Sequence, residues 1–103
     1  MTRVKFEWDD RKNASNIKKH GVSFDDAESC FEDDFAEVFP DHSHSDNEER
    51  YLILGMSFTL KTLVVIFTER SSSTREGICN RIISARKATK NEFQYYWAKR
   101  KVK

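Results

Sequence analysis

Apolar and polar positions divide the chain into segments of two different periods. Val4-Lys5-Phe6-Glu7-Trp8 alternates apolar and charged residues, the pattern of a strand buried on one face. Asp9 then offers a helix N-cap, and Asp10 to His20 reads as a helix stopped at Gly21, where glycine accepts the left-handed C-terminal position. Ala14 and Ile17 are expected to form its buried side. Ser23-Phe24-Asp25-Asp26 resembles a capping box, with Asp where Glu is commoner, opening a second helix of about ten residues. Phe24, Ala27, Cys30 and Phe31 give that helix an apolar stripe, which is read as core.

Ala36 to Phe39 has the make-up of a short strand closed by Pro40, and the polar stretch Asp41 to Glu49 is a loop. Arg50 to Phe58 and Thr62 to Arg70 are rich in Val, Ile, Leu, Tyr and Phe, separated by Thr59-Leu60-Lys61, and form a β-hairpin. Ser71 to Gly77 is a flexible connection, and Ile78 to Arg86 is the next strand. Thr89-Lys90-Asn91-Glu92 is a capping box of the standard kind, starting a helix that runs to about Lys99. Phe93, Tyr96 and Trp97 are spaced to pack it on the sheet. The order is β-α-α-β-β-β-α, an α+β domain with a largely antiparallel sheet of about four strands.

Length and composition narrow the class. A chain of 103 residues is a single domain, 1–103, able to build one core without staples. Two cysteines form no disulfide framework, which favours a reduced, cytoplasmic setting. The longest apolar run, Leu63 to Phe67, is far too short for a membrane helix, and no secretory h-region precedes it. The net charge of +1 conceals segregation. Residues 1–20 carry six Lys/Arg against three acids, 21–50 one against eleven, and 51–103 eleven against three. Such blocks predict a basic and an acidic surface on the folded molecule.

On the first helix, the regular turn of 3.6 residues puts Lys12, Asn16, Lys19 and His20 on one side, with Ala14 and Ile17 away from them. One face thus offers two ammonium groups, an amide and an imidazole, a set suited to a phosphate-bearing ligand. Arg70, Arg75, Arg81 and Arg86 come from the last strands. Arg81 and Arg86 have opposite parity, so they converge only if the strand carries a bulge; Arg86 is otherwise expected to turn toward the last helix. His42 and His44, with Asp41 and Asp46, tempt a metal reading, but a solvated loop lacks the supporting shell that fixes ligands. Cys30 is read as a small buried residue, and no Gly-rich phosphate loop or paired catalytic carboxylates stand out.

Phe6-Glu7-Trp8-Asp9, Lys12, Asn16, Lys19-His20-Gly21-Val22-Ser23-Phe24, Ala27 and Phe31 resemble the opening of the BrnT toxins. The resemblance continues through Glu48-Glu49-Arg50-Tyr51, Gly55, Thr68-Glu69-Arg70, Arg81 to Thr89, Glu92 and Tyr96. The chain departs from the family pattern in a longer Ser71–Asn80 connection and in a hairpin turn without its commoner Gly. The resemblance implies a RelE-like fold and an endoribonuclease, the toxin of a type II toxin–antitoxin pair; with cations abundant and no credible ligand cluster in the sequence, its cleavage is expected to be metal-independent and to need no cofactor. It also implies a ribbon-helix-helix antitoxin, in a heterotetramer that binds operator DNA through the antitoxin. Such cleavage needs a base, an acid and cations around the phosphorane. Lys12, His20, Arg70, Arg81 and Tyr96 are the expected catalytic residues, and Trp8, Asn16, Lys19 and Arg86 the expected RNA contacts. The alternative is a noncatalytic nucleic-acid-binding or interaction module.

Overall fold

The computed structural model describes residues 5–42, 48–71 and 78–100. Five strands are present: β1 (Lys5–Glu7), β2 (Glu37–Pro40), β3 (Tyr51–Met56), β4 (Thr62–Ser71) and β5 (Ile78–Lys87). They form one sheet in the order β1-β5-β4-β3-β2. The expected four-stranded sheet is therefore one strand short. The Ala36–Phe39 segment supplies the fifth as β2, an edge strand where Pro40 withholds no hydrogen bond the ladder needs. Three of the four pairings are antiparallel, and β1 joins β5 in parallel.

The helices are α1 (Asp10–His20), α2 (Phe24–Ser29) and α3 (Lys90–Arg100), with a 3₁₀ turn at Cys30–Glu32. Their ends follow the local signals. Asp9 accepts from the backbone N–H groups of Arg11 and Lys12, and Gly21 closes α1 at φ 70°. Ser23 accepts from the N–H of Asp26. Thr89 and Glu92 exchange both bonds of the capping box, at 2.8 and 3.2 Å. In the hairpin turn, Leu60 takes φ 65°, a left-handed conformation that the missing glycine would adopt without strain.

Side-chain alternation sorts the sheet into two faces. Leu63, Val65, Phe67, Ile53, Ile82 and Ala85 point one way and are covered by Val22, Phe24, Ala27 and Cys30. Leu54 and Val64 point the other way, beneath Tyr96 of α3. The acidic segments α2 and the 3₁₀ turn thus lie over the first face, and α3 covers only one end of the second.

Helix α1 docks differently from its sequence pattern. Ile17 is 45% exposed and Ala14 is also exposed, whereas Asn16 is buried. The reason is a backbone requirement. Strand β1 pairs β5 only from Cys79 to Arg81, leaving Ala85 unpaired on that edge. The Asn16 amide accepts from Ala85 N–H at 3.1 Å and donates to Ala85 C=O at 2.8 Å. Its N–H₂ also donates to Val22 C=O at 2.8 Å. Asp33 finishes the opposite edge in the same way. Its Oδ2 accepts from Met56 N–H at 2.8 Å, two residues beyond the end of β2 pairing at Leu54. Gly55 allows this approach, since a Cβ there would meet Ala36 Cβ at 3.0 Å and Cys30 O at 3.2 Å.

Candidate functional site

The site is built by a bulge. Ile66 stands opposite Ser84 and Phe67 opposite Ile82, so Ile83 is inserted without a partner. The insertion resets parity along β5. Arg81, opposite Thr68, and Arg86, opposite Val64, now share the face that α3 only partly covers. The condition under which the two arginines could converge is met.

Glu7 comes to the Arg81 end of that face from β1, where it stands beside Arg81. Arg81 Nη1 donates to Glu7 Oε2 at 2.9 Å, and Arg70 Nη1 lies 3.6 Å from the same oxygen. A carboxylate is therefore held between two guanidinium groups, all three partly open to solvent. The hydrogen bond from Arg81 holds the Glu7 carboxyl below its ordinary value; partial burial opposes this, and the charges of Arg81 and Arg70 and a Cys79 hydrogen bond support it. Cys79, opposite Arg70, has its thiol raised by burial and by Glu7. Glu7, Arg81 and Thr68 thus form a cross-strand row, which Arg50 extends just before β3.

The other expected residues divide sharply. Lys12, Lys19 and His20 are exposed on α1, with Lys12 one turn before Asn16 on the same side of the helix. His20 lies about 12 Å further along α1 than Lys12, away from the β1 end. Asn16 is no RNA contact: its amide is spent on Ala85 and Val22 inside the fold. Trp8 packs edge-on against Phe24, at 6.1 Å, on the opposite face of the sheet. Tyr96, expected to be catalytic, is 3% exposed and donates its hydroxyl proton to Asp33, so it is part of the core and apart from Arg70 and Arg81. Arg86 does turn to the last helix, binding both Glu92 oxygens at 2.8 and 3.0 Å. That pair, with the Thr89 N–H, lowers the Glu92 carboxyl to about 2.

Sequence reasoning missed Glu7, the residue that gathers the arginines. The signal was available in the alternation itself: Phe6 and Trp8 point to the core, so Glu7 must face the other way. Cys30 is fully buried, with its thiol pushed up to about 12 by burial and by Asp26 and Asp33. Among the described residues no group of three or more His, Cys, Asp or Glu is placed to hold a metal ion. His42 is exposed, while His44 and Asp46, and residues 72–77 of the expected connection with Arg75, lie outside the described residues. No helix among the described residues is long and apolar enough to cross a membrane.

The sheet is backed by the acidic α2 and 3₁₀ turn and carries Arg70, Arg81 and Arg86 on its other face, cations of the kind that meet phosphate groups. Comparison with known proteins makes the class specific. The family model described as ribonuclease toxin, BrnT, of type II toxin–antitoxin system matches residues 8–92. Among solved structures, the Brucella abortus ribonuclease toxin BrnT is 29% identical with a TM-score of 0.59, over 85% of this chain and 100% of that one. Comparison with curated protein sequences finds no match. The chain belongs to the BrnT family of ribonuclease toxins of type II toxin–antitoxin systems.

Proposed function

We infer that this chain is an endoribonuclease working without a metal ion, with its reacting phosphate held at Arg70 and Arg81. The observation that carries this reading is the Glu7 carboxylate between those two guanidiniums on the uncovered part of the sheet. In-line attack of a ribose 2′-oxygen on the adjacent phosphorus forms one P–O bond and breaks the bond to the 5′-oxygen. Glu7 takes the 2′-hydroxyl proton as attack begins. Arg81 and Arg70 stabilise the charge that gathers on the phosphorane oxygens, a contribution worth roughly 10²–10³ in rate for one such contact. Arginine cannot exchange the proton itself. Lys12, on the turn of α1 that follows β1, supplies the proton to the departing 5′-oxygen. Lys19 and His20 hold flanking phosphates along the helix.

The products are a 2′,3′-cyclic phosphate and a 5′-hydroxyl. Purified protein incubated with a defined RNA in excess EDTA should generate these ends. Cleavage that requires added Mg²⁺ or Mn²⁺, or that leaves a 3′-hydroxyl and a 5′-phosphate, overturns the reading.

Membership in a toxin–antitoxin family supports an antitoxin as partner. A ribbon-helix-helix dimer would bring two toxins into a heterotetramer and carry the operator DNA contacts, acting within the cytoplasm. Acidic antitoxin side chains paired with Arg70 and Arg81 would occupy the phosphate site directly. Tight operator binding by the toxin alone would overturn that division of roles.

A further inference from the structure

Helix α3 runs across the strands. Glu92 meets Arg86 on β5, Tyr96 lies over Val64 of β4 and Leu54 of β3, and Tyr95 and Lys99 reach Glu37 on β2. Beside it a groove follows the same course. One cross-strand row makes its floor: Phe39 stands opposite Leu52, Leu52 opposite Ile66, and Ile66 opposite Ser84, with the bulged Ile83 inserted next to it. Two cavities of about 380 and 320 Å³ open onto this row and share Leu52. Tyr95, 42% exposed, and the Arg86–Glu92 pair form the wall on the α3 side. The next row, on the far side, is charged: Arg81 stands between Thr68 and Glu7, with Arg70 beyond.

We propose that this groove seats an acidic amphipathic helix of the antitoxin, lying alongside α3. The inference rests on the antitoxin reading above and adds the shape and chemistry of the segment that binds. Layer geometry selects a helix. Among the described residues, α1 and α2 both pack on the first face of the sheet, whereas α3 is alone on the second. Successive side-chain rows lie about 7 Å apart along a strand, and a helix is about 10 Å across. A helix packed against α3 therefore sits over the seam between the apolar row and the charged one. From Phe39 to Ser84 the floor crosses from β2 to β5, about 14 Å at the ordinary strand spacing. About ten residues of helix, roughly three turns, cover that length.

Charge selects the flank of that helix. Arg81 and Arg70 share one Glu7 oxygen, two cations to one anion. A helix that lays an apolar stripe at i, i+3, i+4 and i+7 on the floor presents its neighbouring column to Arg81. Asp or Glu in that column pairs with the surplus guanidinium charge, and Lys or Arg there would add to it. The apolar stripe anchors the segment against Leu52, Ile66, Ile83 and Tyr95, and the acids set its register. So seated, the helix covers Arg81, and antitoxin and RNA exclude one another.

The test uses the intact protein, with its Ile and Leu methyl groups labelled for NMR, and the purified cognate antitoxin. In the complex the Leu52, Ile66 and Ile83 methyls should shift and lose contact with a soluble paramagnetic agent. Leu60, 77% exposed at the hairpin tip, should stay open. The antitoxin segment touching the groove should show helical carbon shifts. Tyr95→Ala and Ile83→Ser should each weaken antitoxin binding about tenfold or more by calorimetry, with Phe58→Ala at the hairpin tip close to wild type. Arg81→Ala should weaken it too and flatten its dependence on salt. The methyl readout stands even where a variant folds poorly. Groove methyls that stay open in the complex overturn the proposal, as does an extended segment in the groove, or binding untouched by both Tyr95→Ala and Ile83→Ser. So does a 2′-deoxy-substituted RNA that covers the groove methyls when the antitoxin leaves them open. RNA cleavage with and without antitoxin separates the readings. An antitoxin that silences cleavage with the groove open removes the docking helix and leaves the partner reading. An antitoxin that neither binds nor silences removes both.

Discussion

Asn16 stands in for a strand. Where β1 ends, its side-chain amide takes both hydrogen bonds of Ala85, as a backbone neighbour would, and adds a third to Val22. Buried backbone groups left unpaired cost about 1–3 kcal/mol each. Asn16→Ala should therefore lower stability by roughly 2–4 kcal/mol in a denaturant titration. Unchanged stability with weakened RNA binding would return Asn16 to the surface role its helix position suggests. Helical angle arithmetic alone could not reveal this, because the need for an amide arises on a strand 69 residues away in sequence. Glu7 was legible one step earlier, from alternation within β1. Its carboxyl is held down mainly by the Arg81 hydrogen bond, so the deprotonated base persists to lower pH than an ordinary carboxylate. The acid limb of kcat/KM should accordingly fall below the ordinary carboxylate range, and Arg81→Ala should move the limb of the residual activity upward. A limb unmoved by Arg81→Ala would mean that another group takes the proton.

At the scale of elements, the signals that worked were local ones. Caps, the glycine stop and the hairpin pattern each depend on residues within a turn of one another. The β1–β5 pairing and the inserted Ile83 depend on the tertiary register, which a single strand's pattern does not carry. The bulge mattered most, because it turns two arginines of opposite parity onto one face. Helix α3 shows a local device with a distant consequence. Glu92 completes the capping box and holds Arg86, fastening the helix to β5. Its folded pKa of about 2 lies below the ordinary 4.5, so this stabilisation is fully present above about pH 4.5 and is lost as pH falls toward 2. Glu92→Gln should cost about 1–2 kcal/mol at neutral pH and flatten the stability curve across that acidic window. A variant as stable as the wild type at pH 7 would show that the helix is held by Tyr96 and Trp97 packing alone.

On the whole molecule, the charge blocks of the chain become sides of the sheet. The acids of α2 and the 3₁₀ turn lie over one face, where burial and the charges of Asp25 and Glu32 raise the Glu28 carboxyl. Arg70 of β4 and Arg81 of β5 collect on the other, around Glu7. On the proposed reading, an RNA strand meets the arginine side and not the acidic α2. The expected site residues are brought together only in part: Arg70 and Arg81 share Glu7, Lys12 belongs to the adjoining helix turn, and Tyr96 and Trp8 pack with the core. The decisive measurement is the single-turnover rate of RNA cleavage in EDTA, compared between wild type, Glu7→Gln and Lys18→Ala. Lys18 is exposed on α1, about 120° around the helix from Lys12. Glu7→Gln, still folded and still binding RNA, should cut at least about 100-fold more slowly, with Lys18→Ala close to wild type. A Glu7→Gln protein that cleaves at the wild-type rate would contradict the placement of the reaction between Arg70 and Arg81.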